Sequence, residues 1–186
     1  MLFRSAVKEL SLLTKLQLKP SKNRFADQST HARLVAYSGA LKGAALSLMK
    51  IANDIRFLGS GPHAGIGELI LPANEPGSSI MPGKVNPTQC EALIMICARV
   101  IGNDATVTAG EISLANFELQ VAKPLFVGAL IESLVLLSES VSSFDTYCVR
   151  GIKPNRERIA ENASRSLTEV TKRGKTLGYD NVSKSE

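Results

Sequence analysis

The chain has 186 residues, 44% of them hydrophobic and 21% charged, with a formal net charge of +5. That balance fits a soluble, core-forming chain, and no unbroken run of about 18 apolar residues is present to span a bilayer. The surplus charge does not mark a nucleic-acid binder. Residues 1–33 hold seven of the Lys and Arg against only Glu9 and Asp27, the rest of the chain holds equal numbers of each sign, and no aromatics are interleaved to stack on bases.

The first stretch, residues 1–32, is basic, amphipathic and poor in acids, with Leu10, Leu13, Leu16 and Leu18 on its apolar side. It reads as a solvated helical segment, with an organellar transit peptide as the other reading. From Arg33 to Ser60, Leu34, Leu41, Leu48 and Ile55 recur every seven residues, while Ser38, Ala45, Ala52 and Leu58 hold the complementary positions. This predicts a long helix suited to shallow bundle crossings. Gly39, Gly43 and Ala44 weaken an isolated helix and predict a neighbour in close approach. A glycine-rich connector follows, and "GELILP" (Gly67–Pro72) is the best strand candidate.

Next comes "EPGSSIMPGKVNPTQCE", Glu75–Glu91, with two glycines, three prolines, paired serines and a lysine. Pro76 and Pro82 stiffen its path, and Gly77 and Gly83 permit φ values closed to other residues. Asn86, Pro87 and Gln89 have the form of an N-cap, a first helical residue and a capping-box partner. The helix they open carries Cys90, Leu93, Ile94, Cys97, Val100 and Ile101 at spacings of three and four. A third long helix is predicted over Pro124–Val149 with a spine of Leu130, Leu134, Leu137 and Val141. A shorter charged one starts at Asn155 and runs to about Lys172. Three rods of about 40 Å would leave much of their apolar stripes bare in a monomer, which predicts oligomerisation or further helices.

Cys90, Cys97 and Cys148 make no CxxC pair and His31 and His63 are the only histidines, so no metal-ligand spacing exists. Core packing is the expected role of all three thiols. The chemistry concentrates in Gly77–Asn86: two hydroxyls, backbone N–H groups, the Lys84 ammonium and a helix N-terminus converge as they would on a small carboxylate or phosphate. The GxxxxGK spacing of a P-loop is absent. A serine hydroxyl becomes a base only if its alkoxide is stabilised, by a neighbouring histidine or by preorganised donors. No histidine lies in the loop. From pattern alone, a rigid capped turn remains the competing reading, with Asn86 as a cap and Glu91 as a surface charge.

"GSSIMPGKVNP" resembles the signature of the fumarase/aspartase superfamily, and "PTQCE" (Pro87–Glu91) is similar to class II fumarase. "SLMKIANDIRFLGSGP" (Ser47–Pro62), "GELILPANEPGSS" (Gly67–Ser79), "NFEL" (Asn116–Leu119), "GIKPNRERI" (Gly151–Ile159) and "GYD" (Gly178–Asp180) are similar to that family too. The likeness covers about Asn23 to Asp180. It implies a mainly α, long-helix bundle. Residues 1–32 would form a basic helical segment, residues 33–150 a central bundle portion, and residues 151–186 the start of a C-terminal helical domain. It also implies reversible hydration of fumarate to (S)-malate, the tricarboxylic acid cycle reaction, without cofactor or metal.

By the same resemblance Ser78 is the catalytic base and Glu91 orients the histidine that handles water. Ser79, Lys84, the Val85 backbone and Asn86 contact the substrate carboxylates. The resemblance implies a homotetramer whose sites are shared among subunits, in the cytoplasm or the mitochondrial matrix, with no nucleic-acid or membrane partner. Departures accompany it. Residues 1–186 contain no stretch resembling the family's N-terminal domain or its catalytic histidine motif, so the chain is expected to be a fragment, inactive alone. Glu111–Gln120 departs from the glycine-rich form usual there, and Gln120 stands where the family commonly has Asn. His63 stands in place of an Arg, and neither His31 nor Lys123 is given a role. The competing readings are a related lyase such as aspartase, and a non-catalytic helical fragment that only associates with complete subunits.

Overall fold

In the computed structural model, residues 2–75, 77–167, 171 and 174–175 are described, residues 2–4 by their backbone alone. Pro76, the "GYD" stretch and most of the residues after 167, with the expected helix end near Lys172, lie outside them. The leucine-rich start forms α1 (Leu2–Thr14). Asn23 caps α2 (Arg24–Ser29), its side chain accepting from the Ala26 N–H at 3.1 Å. The heptad-like stripe folds as α3 (Ala32–Leu58). After it come β1 (Leu69–Ile70), α4 (Thr88–Ser113), β2 (Ala115–Asn116), β3 (Leu119–Gln120) and α5 (Lys123–Tyr147). A single 3-10 turn (Val149–Gly151), β4 (Lys153–Pro154) and α6 (Arg156–Ser164) complete the order. The fold is mainly α, as the periodicity predicts.

Two compact units are present: residues 1–40 with 103–131, and residues 41–102 with 132–186. In the first, β2 and β3 form a hairpin in which Ala115 pairs with Gln120 and Asn116 with Leu119. At its tip Phe117 is fully exposed with φ +49, a left-handed backbone uncommon for an aromatic residue. Gln120 is wholly buried and uses both ends of its amide. Its nitrogen donates to the Gly110 and Glu111 carbonyls at 3.2 and 3.1 Å, and its oxygen accepts from the Ala122 N–H at 2.7 Å. The Glu111 carboxylate accepts from the Thr30 hydroxyl and the His31 N–H. Partial burial raises its pKa, but these bonds, the nearby His31 and Gln120 outweigh that, and the carboxyl titrates below its ordinary range. The two departures from the family pattern therefore bond to each other. The His31 ring lies against Phe126, centroids 5.6 Å apart.

The second unit holds the larger core. Ala45 and Ala52 of α3 are fully buried with Cys90, Leu93, Cys97 and Val100 of α4 and with Leu137, Phe144 and Cys148 from α5 and just beyond it. Leu41, Leu48 and Ile55 only flank this core, so the small residues form the centre of the α3 stripe. Two expectations change. A Cβ at Gly39 or Gly43 would meet nothing within 4 Å, so the close neighbour expected there is not a described part of this chain. The α5 spine is only half buried: Leu130 and Leu137 are covered, while Leu134 and Val141 stay exposed at 40% and 39%. By length and mean hydropathy α4 and the stretch Lys123–Gly151 would suffice to cross a bilayer, although neither holds an unbroken apolar run. All three cysteines are buried and free, as expected of packing residues.

Candidate functional site

β1 and β4 set the frame of the site, pairing antiparallel with Leu69 opposite Pro154 and Ile70 opposite Lys153. From there the chain runs out to Asn74, whose amide donates to the Tyr147 carbonyl at 2.8 Å, and enters the signature loop. The loop closes on itself at its neck. A Cβ built on Gly77 would lie 2.0 Å from the Lys84 carbonyl oxygen, so only glycine lets the two strands of the neck approach. The Asn86 side-chain amide donates to the Gly77 carbonyl at 2.8 Å and fastens that contact. Gly83 turns the chain with φ +78, a conformation that strains any other residue. Of the two glycines, then, Gly83 supplies backbone freedom and Gly77 supplies room.

Inside the loop the Ser78 Oγ accepts two backbone N–H groups, from Ile80 and Met81, each at 3.1 Å. Two amide dipoles aimed at one oxygen favour negative charge on it. The same two bonds also close a serine turn over residues 78–81.

The helix that follows starts differently from the expected capping box. It begins at Thr88, with the Glu91 N–H bonded to the Pro87 carbonyl at 3.1 Å. Asn86 falls one residue too early to cap and is engaged with Gly77. Gln89 accepts from the Ser143 hydroxyl at 3.0 Å instead of reaching back, and the Thr88 hydroxyl donates to Glu75. The loop is thus tied to its own neck and to α5 rather than to the turn it precedes.

Lys84, Val85, Asn86 and Glu91 line one recess of about 710 Å³, with Asn53 and Arg56 from the last turns of α3. Ser78 lines a second recess of about 460 Å³, which shares Lys84 and Val85 with the first. Ser79 is exposed and lines neither. The site-forming residues therefore converge on Lys84 and Val85 from two sides. The Glu91 carboxylate has the Arg56 guanidinium 3.7 Å away, both side chains about half exposed. Asp54, which also faces the larger recess, is bonded to Lys50. Arg56 went unremarked in the sequence. Its signal was a charged residue at the end of a long helix, just before a run of glycines. His63 is exposed and lines neither recess. Lys123 donates to the Gln120 carbonyl in the other unit. Among the described residues no group of His, Cys, Asp or Glu could hold a metal ion.

Beneath the loop the Cys90 thiol is pushed up to about 12 by burial, with the neighbouring Cys148 adding to the effect. Burial raises Cys97 and Cys148 as well. These thiols stay protonated at neutral pH and act as packing groups.

Comparison with known proteins gives the site a context. The family described as lyase matches residues 3–102. Fumarate hydratase class II of Thermosynechococcus vestitus is 55% identical over 173 residues, 92% of this chain and 37% of that protein. The mitochondrial fumarate hydratase of Schizosaccharomyces pombe is 54% identical over 176 residues, 95% of this chain and 34% of that protein. Among solved structures, the recombinant class II fumarase of Schistosoma mansoni superposes with a TM-score of 0.84 at 45% identity, covering 90% of this chain and 35% of that one. The chain spans about a third of the length of the curated relatives it matches.

Proposed function

The chain belongs to the lyase family, and on that premise we propose that it supplies one segment of a shared fumarate hydratase site, for reversible addition of water to fumarate giving (S)-malate. In this reading Ser78 is the base that takes the C3 proton of malate. Proton removal beside a carboxylate builds charge on that carboxylate, and Lys84 and the Val85 N–H meet it; Ser79, outside both recesses in this chain, has that role by resemblance alone. Asn86 holds the loop closed through Gly77 and faces the same recess as Lys84. Glu91 orients a histidine that handles the water. The chain's own His31 and His63 line neither recess, so that histidine comes from another segment or subunit.

The observation that carries the proposal is the Ser78 hydroxyl, held by two N–H groups in a recess shared with Lys84. Broad exposed apolar surface on the long helices, including Leu46, Ile51, Met95, Ile131 and Val135, supports a homo-oligomer. Residues 151–186 are read as opening a further helical domain after the bundle portion. Relatives from bacteria and from mitochondria support a cytoplasmic or mitochondrial-matrix setting.

Subunit complementation tests the reading. The chain alone is expected to leave the fumarate absorbance band unchanged. Mixed with a class II fumarate hydratase whose matching loop serine has been changed to Ala, it should restore turnover, and Ser78→Ala in the chain should abolish that rescue. Turnover of aspartate in place of malate would move the assignment to a related lyase. Failure of any rescue, with association intact by size-exclusion chromatography, would leave a non-catalytic helical module.

A further inference from the structure

Arg158 stands on the first turn of α6, far along the chain from the signature loop. Its side chain is only 30% exposed. Its Nε donates to the Ile66 carbonyl and one terminal nitrogen to the Gly65 carbonyl, both at 3.2 Å. The other terminal nitrogen bonds to Glu161 at 2.7 Å, which holds that carboxyl below its ordinary pKa range. One turn on, the Asn162 amide donates to the same Ile66 carbonyl at 3.2 Å and to Glu68 at 3.1 Å. A planar fork spread over two consecutive carbonyls is a geometry that an ammonium cannot reproduce.

Those carbonyls belong to the glycine-rich connector between α3 and β1, which doubles back on itself. Ser60 Oγ accepts the Ile66 N–H at 3.1 Å, and a Cβ on Gly65 would lie 2.6 Å from the Ser60 carbonyl oxygen. The connector has two working sides. Ser60 and Gly61 line the large recess with Lys84 and Val85. Gly61 and Gly67 line a smaller cavity of about 210 Å³ with Gly83, Val85 and Arg158.

We propose that Arg158 is a positioning residue for the dicarboxylate recess, fixing the connector through the Gly65 and Ile66 carbonyls so that the wall beside Lys84 and Val85 keeps its place. Arg158 touches no substrate; it acts through the connector. The inference rests on the reading of that recess as a dicarboxylate site. Loosening one wall is expected to weaken malate binding about tenfold, or about 1.4 kcal/mol.

The test is titration of the full chain with (S)-malate, followed by amide chemical shifts, for wild type, Arg158→Met and Arg158→Lys. Both variants should bind malate about tenfold more weakly, with faster hydrogen exchange at residues 65–67 and unchanged exchange in α4. Lysine failing to rescue is the signature of the fork. Wild-type affinity in either variant overturns the positioning role while leaving the dicarboxylate reading intact. If Arg158→Met does not fold, Arg158→Lys decides alone. Absence of malate binding by the wild-type chain sinks the reading of this recess as a dicarboxylate site and this inference with it, a result distinct from a variant that matches wild type.

Discussion

The signature loop and the hairpin spanning Glu111 to Ala122 are built from similar material and spend it in opposite ways. In the hairpin the polar groups turn inward. Gln120 is fully buried with three backbone partners, Glu111 gathers donors from Thr30 and His31, and the apolar Phe117 and Ile112 are left outside. In the loop the closing is done by backbone at Gly77 and Gly83 and by the Asn86 amide, and Lys84 is left lining both recesses. A region that satisfies its own polar groups holds its shape; one that leaves them outward can bind. That contrast separates structural from functional polarity more sharply than composition does.

The contrast can be broken one side at a time. Gly77→Ala should have the largest effect, because the new methyl would meet the Lys84 carbonyl oxygen at 2.0 Å and part the neck. Malate binding should be lost, by about 100-fold or more, while hydrogen exchange around Gln120 stays as in wild type. Gln120→Asn, which restores the residue common in the resembling family, should do the reverse. The shorter amide cannot reach the Gly110 and Glu111 carbonyls together with the Ala122 N–H, and a buried group left unpaired costs about 1–3 kcal/mol. Denaturant unfolding should show that loss with malate affinity unchanged.

A smaller effect sharpens the picture beneath the loop. Cys90 stays protonated in the folded chain until about pH 12, whereas in the unfolded chain it ionises near its ordinary value of about 8.5. Between those limits the unfolded state binds fewer protons, so stability should fall as pH rises past about 9, by up to about 1.4 kcal/mol per pH unit for this group. Cys90→Ala should flatten that slope in urea titrations run from pH 8 to 11. The smallest effect belongs to Glu161, whose carboxyl is lowered by its bond to Arg158, by that cation's charge and by Arg165. A depressed carboxyl stabilises above its unfolded pKa and stops doing so as pH falls through its folded value. Glu161→Gln should therefore lower neutral stability slightly, leave stability at low pH as in wild type and remove the small acid-side slope between them, read in urea titrations from about pH 7 to 3.

Much of the frame was legible in the sequence. The seven-residue and three-four spacings placed α3 and α5 within two residues of their ends and found the start of α4, because a buried stripe must recur at the helical period; the end of α4 at Ser113 was not placed. The short β1 was found from "GELILP". The α4 cap was misread because an Asn-Pro pair before a helix looks the same whether the amide caps the turn or closes a loop behind it. The value of Gly77 was seen, but as freedom of φ; its real cause, the carbonyl of Lys84 seven residues on, is a tertiary contact with no local signal. Arg56 and Arg158 were invisible for the same reason, since their partners lie far along the chain. The roles given to Ser78, Ser79, Lys84, Val85, Asn86 and Glu91 came from resemblance. Spacing alone could not separate them from a rigid turn.

Titration of the isotope-labelled chain with (S)-malate, in wild type and in Lys84→Met, tests the cradle most directly. Saturable amide shifts confined to residues 77–91 and the facing turn of α3, and their loss in Lys84→Met, are the predicted result. Shifts that persist unchanged without the Lys84 ammonium, or that appear only elsewhere in the chain, would contradict it.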